Sequence, residues 1–181
     1  MSNVQVENVT STTVLSPVSL RGAVALGVLT AATVLLPPIC HMAGVPVRWV
    51  LPMHWPVILA ALVYGWRGGA IVGILAPLVS FALSGYPLPP KIPPMTVELL
   101  AYGALIGVLR ERFRLNGFLS TALGLALGRV IFIMAIVLTA ANEVPFGDYL
   151  IAAMLPGLGA AVLQILVLPP TAAQWVSRSG K

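Results

Sequence analysis

Residues 50–84 read VLPMHWPVILAALVYGWRGGAIVGILAPLVSFALS. Arg67 is the one formally charged side chain in that stretch, and it falls in the punctuation Trp66-Arg67-Gly68-Gly69 that divides the stretch into two apolar runs, about 50–66 and 69–84. Runs this long and this poor in charge suit lipid rather than water, because a helical span needs about 20 apolar residues, within a range of about 17 to 25. Working outward, further runs appear at about 20–36, stopped by Pro37-Pro38, and 95–109, entered from Pro93-Pro94 and closed by Arg110-Glu111-Arg112. Two more lie at 117–140 and at 149–168, the last ended by Pro169-Pro170. The third and fourth runs are short for a full span. The expectation is that loop segments border them at membrane depth, which is tolerated only where such backbone is buried in protein or lines a cavity.

The whole composition agrees. Of 181 residues, 59% are hydrophobic and 8% charged, against about 25% charged in a soluble domain, so no separate water-soluble domain fits. The expected fold is an all-α integral membrane protein of six transmembrane helices, with five plus a re-entrant piece as the alternative and the bilayer as solvent. The net charge of +5 does not point to nucleic acid, because the ten Lys and Arg are scattered between apolar runs as topology markers. Six spans place Arg21, Arg67, Arg110, Arg112, Arg114, Arg178 and Lys181 on one side, and Arg48 and Lys91 on the other. That bias puts both termini in the cytoplasm. Residues 1–18 are polar, Ser/Thr-rich and free of Lys and Arg, unlike a secretory signal. They are expected to form a flexible cytoplasmic tail, followed by a transmembrane substrate-binding domain over 19–176 and a short cytoplasmic tail, 177–181.

Small residues recur every four positions: Ala23, Gly27 and Ala31; Gly69 and Gly73; Gly103 and Gly107; Gly124 and Gly128. This spacing aligns them on one face and lets two helix backbones approach closely in lipid. The first of these stripes lies on an otherwise apolar helix, where it serves packing in the bundle or contact with a partner protein.

The outer connections are unlike water-exposed loops. Residues 37–55 (PPICHMAGVPVRWVLPMHW) hold His41, Arg48, Trp49, His54 and Trp55, and residues 85–94 (GYPLPPKIPP) hold five prolines, Tyr86 and Lys91. They read either as stiff lids over a small molecule, losing little entropy on closing, or as an interfacial aromatic belt. Glu98 and Tyr102 share one face of the fourth helix, and Arg129 lies near the middle of the fifth. Intramembrane charges face the bundle interior and mark functional sites by default. A purely structural Glu98–Arg129 pair is the alternative. Asn142 sits at the outer end of the fifth helix, and Gln164, deep in the sixth, reads as interhelical glue.

Catalysis finds no support. The chain lacks a phosphate-cradling Gly-Lys-Ser/Thr loop, and Asp148 is its only aspartate. Cys40 is the lone cysteine, which excludes an internal disulfide and a Cys-based zinc site. His41 and His54 stand without a nearby carboxylate, so neither a metal nor another cofactor is expected.

The runs LPMHWPVILAALVYGWRGGAIVGILAPLVSFALSG and PPMTVELLAYGALIGVL, with the small-residue stripe of the first helix, resemble the S components of energy-coupling factor (ECF) transporters over about residues 20–168. The resemblance implies a non-enzymatic subunit in the cytoplasmic membrane of a bacterium or archaeon. It would capture a water-soluble vitamin in an outward-facing cavity between outer loops and the outer halves of helices four to six. It also implies a transmembrane coupling subunit of the EcfT type, docked on Ala23, Gly27 and Ala31, and two ABC ATPases. Metal-specific relatives begin with a Met-His motif, whereas Met53-His54-Trp55-Pro56 here is internal and lacks a free amine. The substrate-binding set expected is Arg48, Trp49, His54, Trp55, Tyr86, Lys91, Glu98, Tyr102, Arg129 and Asn142. With Arg48 and Lys91 free near the lids, a carboxylate-bearing substrate such as pantothenate is favoured, with nicotinate, biotin or a folate as rivals, while Trp49, Trp55, Tyr86 and Tyr102 would stack equally well on a ring system such as riboflavin. Competing classes are a scaffold resembling the MreD family and a solitary proton-coupled carrier.

Overall fold

The computed structural model of the protein describes residues 14–139 and 146–179. It is helical: α1 (Leu20–Met42), the single turn α2 (Val47–Val50), α3 (His54–Ser84), a 3-10 turn (Pro89–Lys91), α4 (Ile92–Glu111), α5 (Gly117–Thr139) and α6 (Phe146–Ser179). No strand occurs among the described residues. Five segments are long and apolar enough to cross a membrane: Leu20–Met42, Val47–Ser84, Pro89–Glu111, Gly117–Leu138 and Pro156–Ser179. Their outer faces carry Val24, Val28, Leu123, Leu127, Val137 and Leu166, all exposed, as lipid requires.

The count differs from the six runs of the sequence because the second and third belong to one helical element folded at Gly65. That residue takes φ 69°, ψ −165°, a conformation open to glycine because it has no Cβ. A Cβ built on Gly69 would lie 2.7 Å from that of Ala61, whereas eight residues of straight helix would separate them by about 12 Å. The chain therefore doubles back, and legs 54–64 and 66–84 pack side by side. The first leg is only about 16 Å long, roughly half the hydrocarbon thickness. The break orphans backbone groups, and two of them find partners: Leu15 N–H donates to the Val63 carbonyl at 2.7 Å, and Trp66 N–H donates to Glu111 Oε2 at 3.4 Å. Leu15, assigned from sequence to a flexible tail, is thus tied to the bundle.

The prolines expected to end helices do not. α1 runs through Pro37 and Pro38, and α6 through Pro156, Pro169 and Pro170. Each proline removes one intrahelical donor, but unwinding in lipid would expose many more unpaired backbone groups. Neighbouring hydroxyls add bonds along the axis, as Thr33 Oγ1 to the Thr30 carbonyl at 2.6 Å and Thr171 Oγ1 to the Val167 carbonyl at 2.7 Å.

Packing follows the small residues. The second leg of α3 and α4 run antiparallel with Gly69 against Gly103 and Gly73 against Leu99, so close that an added Cβ would strike the opposite backbone. Beside this contact Val57, Ile58, Leu62, Val72, Leu99 and Ile106 are fully buried. Next, α4 packs on α5 with the Tyr102 ring over Gly128. The α1 stripe is the exception: Ala23, Gly27 and Ala31 are exposed.

Candidate functional site

A cavity of about 460 Å³ opens among α3, α4, α5 and α6, at the end of the bundle where the chain enters α3. Most of its wall is apolar, including Leu125, Val130, Ile133, Leu158, Ala161 and Ile165. Four polar residues interrupt it: His54, Tyr102, Arg129 and Gln164. A few polar groups in an apolar enclosure of this size are the usual make-up of a small-molecule site.

Local structure places each of them. Leu51 adopts a left-handed φ of 49°, turning the chain out of α2, and its carbonyl accepts the His54 N–H at 2.9 Å. His54 is thereby fixed as the first residue of α3. Glu98 and Tyr102 stand one turn apart on α4, and Arg129 projects from the middle of α5. Gly157 of α6 leaves room for the guanidinium: a Cβ there would lie 2.6 Å from Arg129 Nη2.

These side chains converge on one atom. Glu98 Oε1 accepts the Tyr102 hydroxyl at 2.9 Å, lies 3.0 Å from Arg129 Nη1 and 3.7 Å from His54 Nε2. The Glu98 residue is 4% exposed. The His54 and Tyr102 rings sit 5.4 Å apart at 53°, and the Arg129 guanidinium lies 5.5 Å from the Phe132 ring. A buried carboxylate is costly unless paired and hydrogen-bonded, and this one is both. Glu98 is screened from the cavity by its partners, which are the groups that line it.

Of the ten residues expected to bind substrate, the structure brings together His54, Glu98, Tyr102 and Arg129. Asn142 lies outside the described residues. Trp49 is half-exposed and rests against α6 at Gly159. Trp55 donates its indole N–H to the Val50 carbonyl at 2.7 Å, holding α2 in place. Arg48 is exposed beside a shallower depression shared with His41. Tyr86 and Lys91 are exposed, and neither lines the cavity. The enclosure is therefore built by helix faces, with Leu51 as the contribution of the first outer connection, rather than by the two proline-rich loops.

Gln164 is the residue that sequence reasoning set aside. It is 1% exposed and lines the cavity, and among the described residues its Nε2 has no hydrogen-bond partner. The signal available was periodicity: Gly157, Ala161, Gln164 and Ile165 share one helix face.

A second concavity, about 640 Å³ and wholly different in character, runs along α1 and the second leg of α3. Ala23, Gly27 and Ala31 line it with Ile71, Leu75 and Val79. It is an apolar groove on the lipid-facing side.

The chain has no match among curated proteins or among solved structures. The model of the family described as ECF transporter, substrate-specific component, matches residues 22–173. That range takes in the α1 and α3 residues of the apolar groove and all of the described cavity, and the protein belongs to this family of transporter substrate-binding components.

Proposed function

We propose that this multi-pass membrane protein captures a small water-soluble vitamin or related micronutrient in the cavity among α3–α6, for ATP-driven uptake. The observation that carries this reading is the cavity itself: about 460 Å³ of space, largely apolar, with His54, Tyr102, Arg129 and Gln164 among its lining residues. In this reading the chain crosses the cytoplasmic membrane of a bacterium or archaeon six times, with both ends inside. The reversal at Gly65 and the seven-to-two distribution of Lys and Arg across the two sides support that topology. His54 and the cavity then face outward.

ECF substrate-binding components work with a coupling subunit and ATPases. The groove holding Ala23, Gly27 and Ala31 is the surface proposed to meet the coupling subunit, with two ABC ATPases supplying the energy. Small side chains on an exposed, apolar helix permit close approach by a partner helix.

Gly27→Leu tests the division of labour. A Cβ on Gly27 would meet nothing within 4 Å, so the variant is expected to fold and to bind ligand with unchanged affinity. Uptake in cells, measured with labelled substrate, is expected to fall to background because the new side chain occupies the groove. Loss of ligand binding instead would mean that this face packs inside the bundle.

A further inference from the structure

We propose that the cavity selects a molecule of no net charge, with an apolar ring or chain and a hydrogen-bond acceptor presented to the Gln164 amide. This rests on the reading of the cavity as the capture site and adds the chemical class of its occupant.

Charge comes first. Among the described residues, Arg129 is the one Lys or Arg that lines the cavity, and Glu98 already holds it at 3.0 Å. Arg48 and Lys91 are exposed elsewhere. The two formal charges of the cluster, Glu98 and Arg129, cancel. A ligand carboxylate would bring a second anion close to Glu98 in a largely apolar enclosure, and like charges there repel more strongly than in water. A neutral ligand meets no such opposition.

The second observation is independent. Gln164 Nε2 is buried without a partner among the described residues, and Gln164 lines the same cavity. Buried donors are almost always satisfied, and an unpaired one in a residue that lines a binding cavity discriminates, because a ligand lacking the acceptor leaves it unpaired. Both ring nitrogens of His54, another residue of the wall, are likewise buried without a hydrogen-bond partner among the described residues. The remaining wall is aliphatic and accepts an apolar body.

The test uses the purified full-length chain in detergent and compounds paired so that they differ mainly in charge: nicotinamide and nicotinate, biotinamide and biotin, lipoamide and lipoate, panthenol and pantothenate, with riboflavin as an uncharged heteroaromatic. Ligand-dependent thermal stabilisation gives each affinity. A neutral compound is expected to stabilise the protein, its acid counterpart binding at least ~10-fold more weakly. Gln164→Met keeps the length of the side chain and removes the donor; it is expected to weaken the neutral compound at least ~10-fold while leaving the unliganded melting temperature unchanged or higher. Tighter binding of an acid would overturn the charge class and leave the capture reading standing. Unchanged affinity in Gln164→Met would remove the amide from recognition. Silence from every compound overturns the class, and if no small molecule co-purifies with the chain either, the capture reading falls with it.

Discussion

Glu98→Ala is expected to abolish ligand binding, with a loss of at least ~100-fold in affinity, and to lower stability by about 3–5 kcal/mol. The carboxylate organises the polar end of the cavity: Arg129, Tyr102 and His54 all approach its Oε1. Removing it leaves a guanidinium without its counter-ion, deep in an apolar bundle where charge is expensive. Arg129 then turns toward whatever acceptor or water it can reach, which moves the wall that a ligand would touch. A double variant separates recognition from structural pairing. Glu98→Ala with Arg129→Leu removes both charges, and replacing a buried pair with apolar groups is often neutral or stabilising. The double variant is therefore expected to recover most of the lost melting temperature and none of the binding. If Glu98→Ala keeps its affinity and only melts earlier, the pair serves structure alone.

Gly103→Val has the largest expected effect on folding. Its Cβ would strike the carbonyl group of Gly69, and backbone cannot rotate aside as a side chain can. In lipid, where apolar surface gains little by meeting apolar surface, helices associate through such close contacts. Forcing α3 and α4 apart also loosens the buried cluster around Leu99 and Ile106. The penalty should exceed the 1–3 kcal/mol typical of an overpacked core, so little monodisperse protein is expected on size-exclusion chromatography. The same substitution at Gly27, where an added Cβ has open space, controls for the propensity cost of valine in a helix. Equal behaviour of the two variants would contradict the packing described for the bundle.

Much of this was legible in the amino-acid order. Low charge and long apolar runs identify lipid as the solvent, and the four-residue spacing of Gly69, Gly73, Gly103 and Gly107 marks the α3–α4 contact. Glu98 and Tyr102 one turn apart, with an arginine inside another span, led to the polar cluster. Other features were hidden for physical reasons. Stop rules for proline come from helices whose ends can be hydrated, so Pro37-Pro38 and Pro169-Pro170 were misread as ends of helices that lipid keeps wound. The fold at Gly65 depends on partners remote in sequence, Leu15 and Glu111, and no local pattern announces them. Aromatic and cationic residues in the proline-rich connections suggested lids, yet Trp49, Trp55 and Tyr86 do not line the enclosure. Which face of the long α6 meets the cavity depends on how it lies against α5, and that placed Gln164 in the wall.

The central claim is that the space among α3–α6 holds a small solute, and native mass spectrometry of the chain purified from its host tests it most directly. The wild-type protein is expected to carry one small molecule per chain, and Ala161→Trp, which fills the cavity from α6, is expected to carry none while remaining folded. A wild-type chain that never carries a small molecule, or an Ala161→Trp chain that carries the same one, would contradict the claim.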